Sequence, residues 1–187
     1  MSEQVDTSRL NAQISRMVCD GLQDRLITLT VNGRSMSPLL KYGDRIDIEP
    51  TEPEELEPGD IVTLMVAGTF LTHRFRQMTT DPSASCLLQT RGDHQQQDDP
   101  PIPCDQLVGR VVRRHRSRLQ FNQGIGLRLN RALYRLYKNL YHFEALYKKE
   151  PGQLHIPMPV RIAHHIVYYC AACIIGVVSI IALWLQE

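Results

Sequence analysis

The sequence predicts a mainly β core with a short helix ahead of it, followed by a helical region that ends in one transmembrane helix. Three observations carry this. Short β-branched runs divided by Gly-Asp and Pro-Gly turns fill residues 26–115, an apolar period of about 3.6 returns from Ile125, and Ile166 to Leu185 is a run of 20 residues without a charge. At 187 residues the chain has room for one domain of ordinary size and an appendage. The expected division is an N-terminal helix over 1–25, the β core over 26–115, a basic amphipathic helical region over 116–165 and the transmembrane helix over 166–185.

The opening helix is predicted over Ser8–Asp24, where Leu10, Ile14, Met17, Val18 and Leu22 recur at helical spacing. Strands are expected at 26–31, 45–48, 60–65, 69–75, 87–90 and 107–112. Gly43-Asp44, Pro58-Gly59-Asp60 and Gly92-Asp93 supply turns between them, because glycine permits the backbone angles a tight turn needs. Thr51–Pro58 and Gln95–Pro103 are polar, proline-bearing and read as loops. From Ile125 onward Leu129, Leu133, Leu136 and Leu140 share one helical face. Arg128, Arg131, Arg135 and Lys138 lie roughly opposite, with Tyr134, Tyr137 and Tyr141 between. Such a helix suits either the plane of an anionic membrane surface or a place on the core with its basic face in water.

Net charge is only +1, but it is unevenly spread. Residues 1–109 carry 17 acidic and 9 basic side chains, whereas residues 110–150 carry 2 acidic and 11 basic ones. A basic segment of this kind fits anionic lipid; no nucleic-acid recognition motif accompanies it, so no nucleic-acid partner is expected. The five cysteines have neither disulfide-framework nor zinc-like spacing, which points to a reducing compartment. Cys170-x-x-Cys173 lies in the apolar run and suggests neither metal nor redox chemistry.

The apolar run reaches about 30 Å at ~1.5 Å per residue, the thickness of a bilayer's hydrocarbon core. Lys148, Lys149 and Arg161 precede it and no basic residue follows, so the charge rule places residues 1–165 in the cytosol. The chain reads as a single-pass protein held by its C-terminal end.

Within the β core, Ser35 sits in a short turn between a β-rich run and Gly43-Asp44. A serine hydroxyl needs a neighbouring base to become a nucleophile, and His73 is a candidate because imidazole changes charge near neutrality. A carboxylate beyond the imidazole would fix its tautomer, and Asp98 or Asp99 offers one. Asp93 reads as a turn residue and His94 as solvated.

These segments together resemble the type I signal peptidase family and its relatives. Gly33-x-Ser35-Met36-x-Pro38 with Gly43-Asp44 resembles the nucleophile box, and Pro58-Gly59-Asp60-Ile61-Val62 the next turn and strand. Leu71-Thr72-His73-Arg74 is similar to the general-base box, Arg91-Gly92-Asp93 with Asp98-Asp99 to the Gly-Asp box, and Val108-Gly109-Arg110-Val111-Val112 to the closing strand. The resemblance covers residues 26–112 in family order. It implies coiled β-sheets, no cofactor, and a serine endopeptidase that cuts a precursor or leader peptide, bound as an extended strand, after a small residue.

Many members of the family use lysine as the base, but no lysine lies between Lys41 and Lys138. His73 aligns the chain with the Ser-His-Asp branch. In that branch the aspartate lies six residues after that of the Gly-Asp pair, which implies Asp99 rather than Asp98. The catalytic set expected is therefore Ser35, His73 and Asp99. Gly33 departs from relatives that carry a serine two residues before the nucleophile, and the family's usual N-terminal anchor is not seen. Compact bacterial relatives without that anchor, linked to peptide-modification systems, are most similar in the Gly-Arg-Ser-Met and Arg-Gly-Asp segments. Two alternatives have different signatures. A self-cleaving regulatory protein of this fold predicts a small-residue site such as Ala-Gly upstream of Ser35, a pair the first 34 residues do not contain. A catalytically silent peptide-binding module predicts that Ser35 is dispensable for processing.

Overall fold

The structure is a computed structural model that describes residues 26–80, 85–95, 97–117, 119–147 and 158–184. The helix expected over Ser8–Asp24 lies outside these residues. Turn chemistry divides the described part of residues 26–120 into eight strands. They are β1 (Ile27–Thr30), β2 (Arg45–Glu49), β3 (Ile61–Val66), β4 (Thr69–Thr80), β5 (Cys86–Arg91), β6 (Ile102–Pro103), β7 (Leu107–Arg114) and β8 (Leu119–Gln120). All pair antiparallel in the order β1-β2-β7-β3-β4-β5-β6, with β8 on β7.

Strand β3 shows why the sheet has two covered faces, since IVTLMV is a continuous run instead of an alternating one. Ile61 and Met65 enter one hydrophobic cluster, and Val62 and Leu64 enter another. Both faces of β3 are therefore dry. Register shifts between Asp47 and Ile48, Thr63 and Leu64, and Phe75 and Gln77 bend the sheet. Bulges raise local twist, and the sheet curls into a half-barrel.

Two strands run past their predicted ends. β4 continues from Phe75 to Thr80 through residues that are mostly polar and exposed, Met78 being the apolar one, because its ladder with Cys86–Gln89 supplies backbone partners where no core does. β7 continues to Arg114 because its arginines find carboxylates: Arg113 lies opposite Asp47 in the register and donates to it over 2.6 Å. The loop read over Gln95–Pro103 also ends differently, with Ile102 and Pro103 paired to β5.

Asp47 is almost fully buried yet accepts from Thr28, Arg113 and His115. Burial alone would raise its carboxyl pKa; the bonds from His115, Thr28 and Arg113 outweigh burial and hold it below its ordinary value. A carboxylate depressed in the folded state stabilises the fold fully above its unfolded-chain value, and this is lost as pH falls through the lower folded one. Asp47→Asn is thus expected to cost about 1–3 kcal/mol at pH 7, and less at a pH below the ordinary carboxylate range, where the wild-type carboxylate begins to take up its proton. Urea unfolding at the two pH values measures the difference.

Cysteine pairing corrects the sequence reading. Cys86 and Cys104 form a disulfide with Cα atoms 5.4 Å apart, joining the start of β5 to the turn after β6. Their separation of 18 residues matches no framework spacing, and only the β5–β6 pairing brings them together. Disulfides persist in oxidising compartments, so the cysteine pattern no longer supports a reducing one. Alkylation of unreduced protein should modify Cys170 and Cys173, both exposed, and spare Cys86 and Cys104.

Helix α1 (Gly124–Tyr147) spends its apolar face on the domain rather than on a lipid surface. Leu129, Leu133, Tyr137, Leu140 and Tyr141 are all buried, most of them in the cluster that also holds Ile61, Val108 and Val111. The tyrosines expected at the border of the face therefore belong to its centre in two cases of three. Tyr134, the third, lies across Gly59, whose φ is +105° and whose missing Cβ would fall 2.7 Å from the ring. Helix α2 (Met158–Trp184) starts eight residues before the predicted span. Its segment Met158–Ala182 is long and apolar enough to cross a membrane.

Candidate active site

Ser35 is placed by its hydrophobic neighbours. Met36, Leu39 and Leu40 are buried in the core, and Ser37 N–H to Arg34 O (3.0 Å) and Leu40 N–H to Met36 O (2.9 Å) wind the turn around them. The serine is left half-buried at the rim. His73 comes from β4, where it is only 1% exposed, and Asp99 comes from the loop after β5.

These three side chains meet. Ser35 Oγ is 2.8 Å from His73 Nε2, and His73 Nδ1 is 2.6 Å from Asp99 Oδ2. Asp99 is held in turn, because Thr90 Oγ1 donates to its Oδ2 over 2.7 Å and its own N–H donates to Thr90 O over 2.9 Å. Thr90 is fully buried on β5, so the carboxylate is fixed from within the sheet. An oriented Ser-His-Asp relay can shuttle a proton from serine to a leaving group.

The other sequence candidates take separate roles. Asp98 pairs with Arg76 and lies 3.7 Å from Arg91, away from His73. His94 donates its backbone N–H to Ser35 O over 2.7 Å, and its ring lies 5.0 Å from that of Tyr168. Gly92 is needed for proximity: an added Cβ would fall 2.8 Å from Ser35 O and 2.9 Å from Ser35 Cβ.

Asp93 is more than a turn residue. It is buried and takes both arms of Arg74, Nε to Oδ1 at 2.6 Å and Nη2 to Oδ2 at 2.7 Å. Arg74 Nη1 donates to Gly59 O and to Asn130 Oδ1, each at 2.7 Å. Burial opposes the guanidinium charge, but Asp93 outweighs it and holds Arg74 above its ordinary pKa. This network ties the strand carrying His73, the loop after β5 and α1 together directly behind the site. Of its members the sequence singled out Arg74, Asp93 and Gly59 as parts of boxes and turns; Asn130, like Thr90 and Tyr168 elsewhere around the site, gave no signal, since each is an ordinary residue of a strand or helix.

A cleft of about 580 Å³ opens beside Ser35, lined by Leu29, Val31, Met36, Ile46, Phe70 and Leu71 among others. Among the described residues no strand covers the outer edge of β1, and β5 pairs with β4 only from Arg74 onward. Two open strand edges thus flank the cleft, a geometry that can take an extended chain. Gly33 borders it, and an added Cβ there would lie 3.8 Å from Ser35 Oγ in ordinary contact. Gly33→Ser should fit and raise kcat by up to ~10²-fold if its hydroxyl adds an oxyanion donor. Steady-state kinetics on a cleaved peptide measures this.

Residues 3–112 match the Peptidase S24-like family. The match spans more than half of the chain. This chain belongs to that family. No curated protein matches it. For this S24-like chain the matched region ends inside β7, so the Ser35, His73 and Asp99 positions all fall within it, whereas Asn130 of α1 and Tyr168 of α2 lie beyond it.

Proposed function

We propose that this S24-like chain is a membrane-attached serine endopeptidase with Ser35 as nucleophile, His73 as general base and Asp99 as the group that orients His73. The observation that carries the reading is the unbroken line of hydrogen bonds Ser35–His73–Asp99. Ser35 Oγ attacks the scissile carbonyl and gives its proton to His73 Nε2. Asp99 stabilises the imidazolium, which then protonates the leaving amine, and water releases the acyl group by the reverse transfer. The cleft and its open strand edges favour an extended precursor or leader peptide, cut after a small residue as the resemblance implies. Membrane attachment rests on α2.

A second reading has its own support in the family match: the chain cleaves itself, as regulatory relatives of this fold do. Incubating wild-type protein with alanine-rich peptides and with full-length Ser35→Ala chain separates the two. Peptide cleavage that is absent with Ser35→Ala enzyme supports the endopeptidase. Shortening of the chain's own N-terminal part at a rate independent of concentration, with no peptide cut, supports self-cleavage. Neither event would leave a silent peptide-binding module and sink both readings.

A further inference from the structure

Helix α2 is apolar on two opposite faces that meet different surroundings. One face lies on the domain: Ala171, Ile175 and Ala182 are buried in the main hydrophobic cluster, with Val167 and Val178 packed beside them. At ~100° per residue the exposed residues Ile162, Ile166, Tyr169, Val177 and Ile180 fall on roughly the opposite side. The helix is thus seated lengthwise on the peptidase domain, with a stripe of large apolar side chains left bare along it.

Kept in this seat, a helix that crossed a bilayer would take charged neighbours with it. Arg114 Nη2 donates to Ser179 Oγ over 3.2 Å, deep in the apolar run, and Arg114 Nη1 lies 3.9 Å from Asp44. Arg116, which is 72% exposed, sits on the short turn that packs against α2. Crossing in this arrangement would carry those charges into hydrocarbon, which is strongly unfavourable. Lifting α2 away would break the contact of Tyr168 OH with Ser37 Oγ (3.3 Å), two residues after Ser35, and of its ring with His94, whose N–H donates to Ser35 O.

We propose that α2 lies in the plane of a membrane surface, its inner face on the peptidase domain and its outer stripe in the lipid of a single leaflet. The occupant is an anionic bilayer, by charge complementarity. Residues 158–184 contain Arg161 and no carboxylate, and Arg116 of the adjoining turn and Arg128, Arg135 and Lys138 of the neighbouring α1 are exposed. Such cations attract anionic headgroups and repel a second copy of the same face. The stripe also offers only the Tyr169 hydroxyl as a strong hydrogen-bonding group, with the weakly donating thiols of Cys170 and Cys173 beside it, whereas protein interfaces carry about one hydrogen bond per 100–200 Å². An apolar helix face with exposed cations on the adjoining elements settles about 5–10 Å into the headgroup boundary. This inference does not depend on catalysis by Ser35.

Nitroxide labels on single cysteines at positions 162, 169, 177 and 180 of the full chain test it, with Cys19, Cys170 and Cys173 changed to Ser. The labelled protein is added to vesicles containing one-third phosphatidylglycerol, and collision with oxygen and a nickel chelate gives each depth. The four labels should report the same shallow depth, although 162 and 180 are about 27 Å apart along the axis at ~1.5 Å per residue. Ile166→Glu with Val177→Glu should cut vesicle binding at least tenfold and leave thermal unfolding in solution unchanged. A depth that peaks mid-helix and falls toward both ends would mean a crossing helix and overturn the proposal. So would labels unaltered by vesicles, or spin–spin broadening between copies without lipid.

Discussion

His73→Ala is expected to lower kcat/KM on a cleaved peptide by about 10³-fold or more, with the fold retained. Among the described residues the imidazole is the one group within hydrogen-bonding distance of both Ser35 Oγ and Asp99, so its loss leaves the hydroxyl without a base. Asp99→Asn should cost about as much by a different route. An amide can offer its N–H to His73 Nδ1 and favour the tautomer whose Nε2 carries the proton, which cannot accept one from Ser35. Thr90 would still hold the side chain, so thermal melting should change little. A fall in kcat without loss of folded structure separates a catalytic His73 from one that merely packs inside β4.

Arg74→Met is expected to be the most damaging substitution for stability, at about 3–5 kcal/mol. Both side chains of the Arg74–Asp93 pair are fully buried, so removing the cation strands a carboxylate and Asn130 Oδ1 in the interior and leaves Gly59 O with the longer 3.2 Å bond from Asn130 Nδ2. Asp93→Leu alone should be comparably harmful. The double variant should lose less than the sum, because it removes both charges and leaves only polar atoms to satisfy. Urea unfolding of the three variants measures the coupling. Because Asp93 follows Gly92, which touches Ser35, the single variants should also lose activity before they unfold.

Much of this was legible in the sequence wherever chemistry and pattern coincide. The Gly-Asp and Pro-Gly turns marked the strand ends, and the boxes around Ser35, His73 and Asp98-Asp99 held the residues that the sheet brings together. What stayed hidden depends on tertiary partners. Asp93 looked like a turn residue because nothing local reveals that Arg74 will be buried across from it. Tyr137 and Tyr141 looked peripheral on a helical wheel, yet they lie over Arg74, Arg76 and Arg91, with Arg91 only 3.9 Å from the Tyr141 ring. Such stacking lets guanidinium groups and rings share one dry surface. The Cys86–Cys104 bond follows from β5–β6 pairing and not from spacing. The apolar run marked a helix long enough to cross a membrane, but composition could not show that Ala171, Ile175 and Ala182 pack in the main cluster.

The central claim is that Ser35 is a nucleophile driven by His73. It is tested most directly by reacting the full chain with a fluorophosphonate and locating the adduct by peptide mass spectrometry. One phosphonylated residue, Ser35, is expected, with labelling slowed by about 10²-fold or more in His73→Ala and absent in Ser35→Ala. Equal labelling of wild type and His73→Ala, or an adduct on another serine, would contradict it.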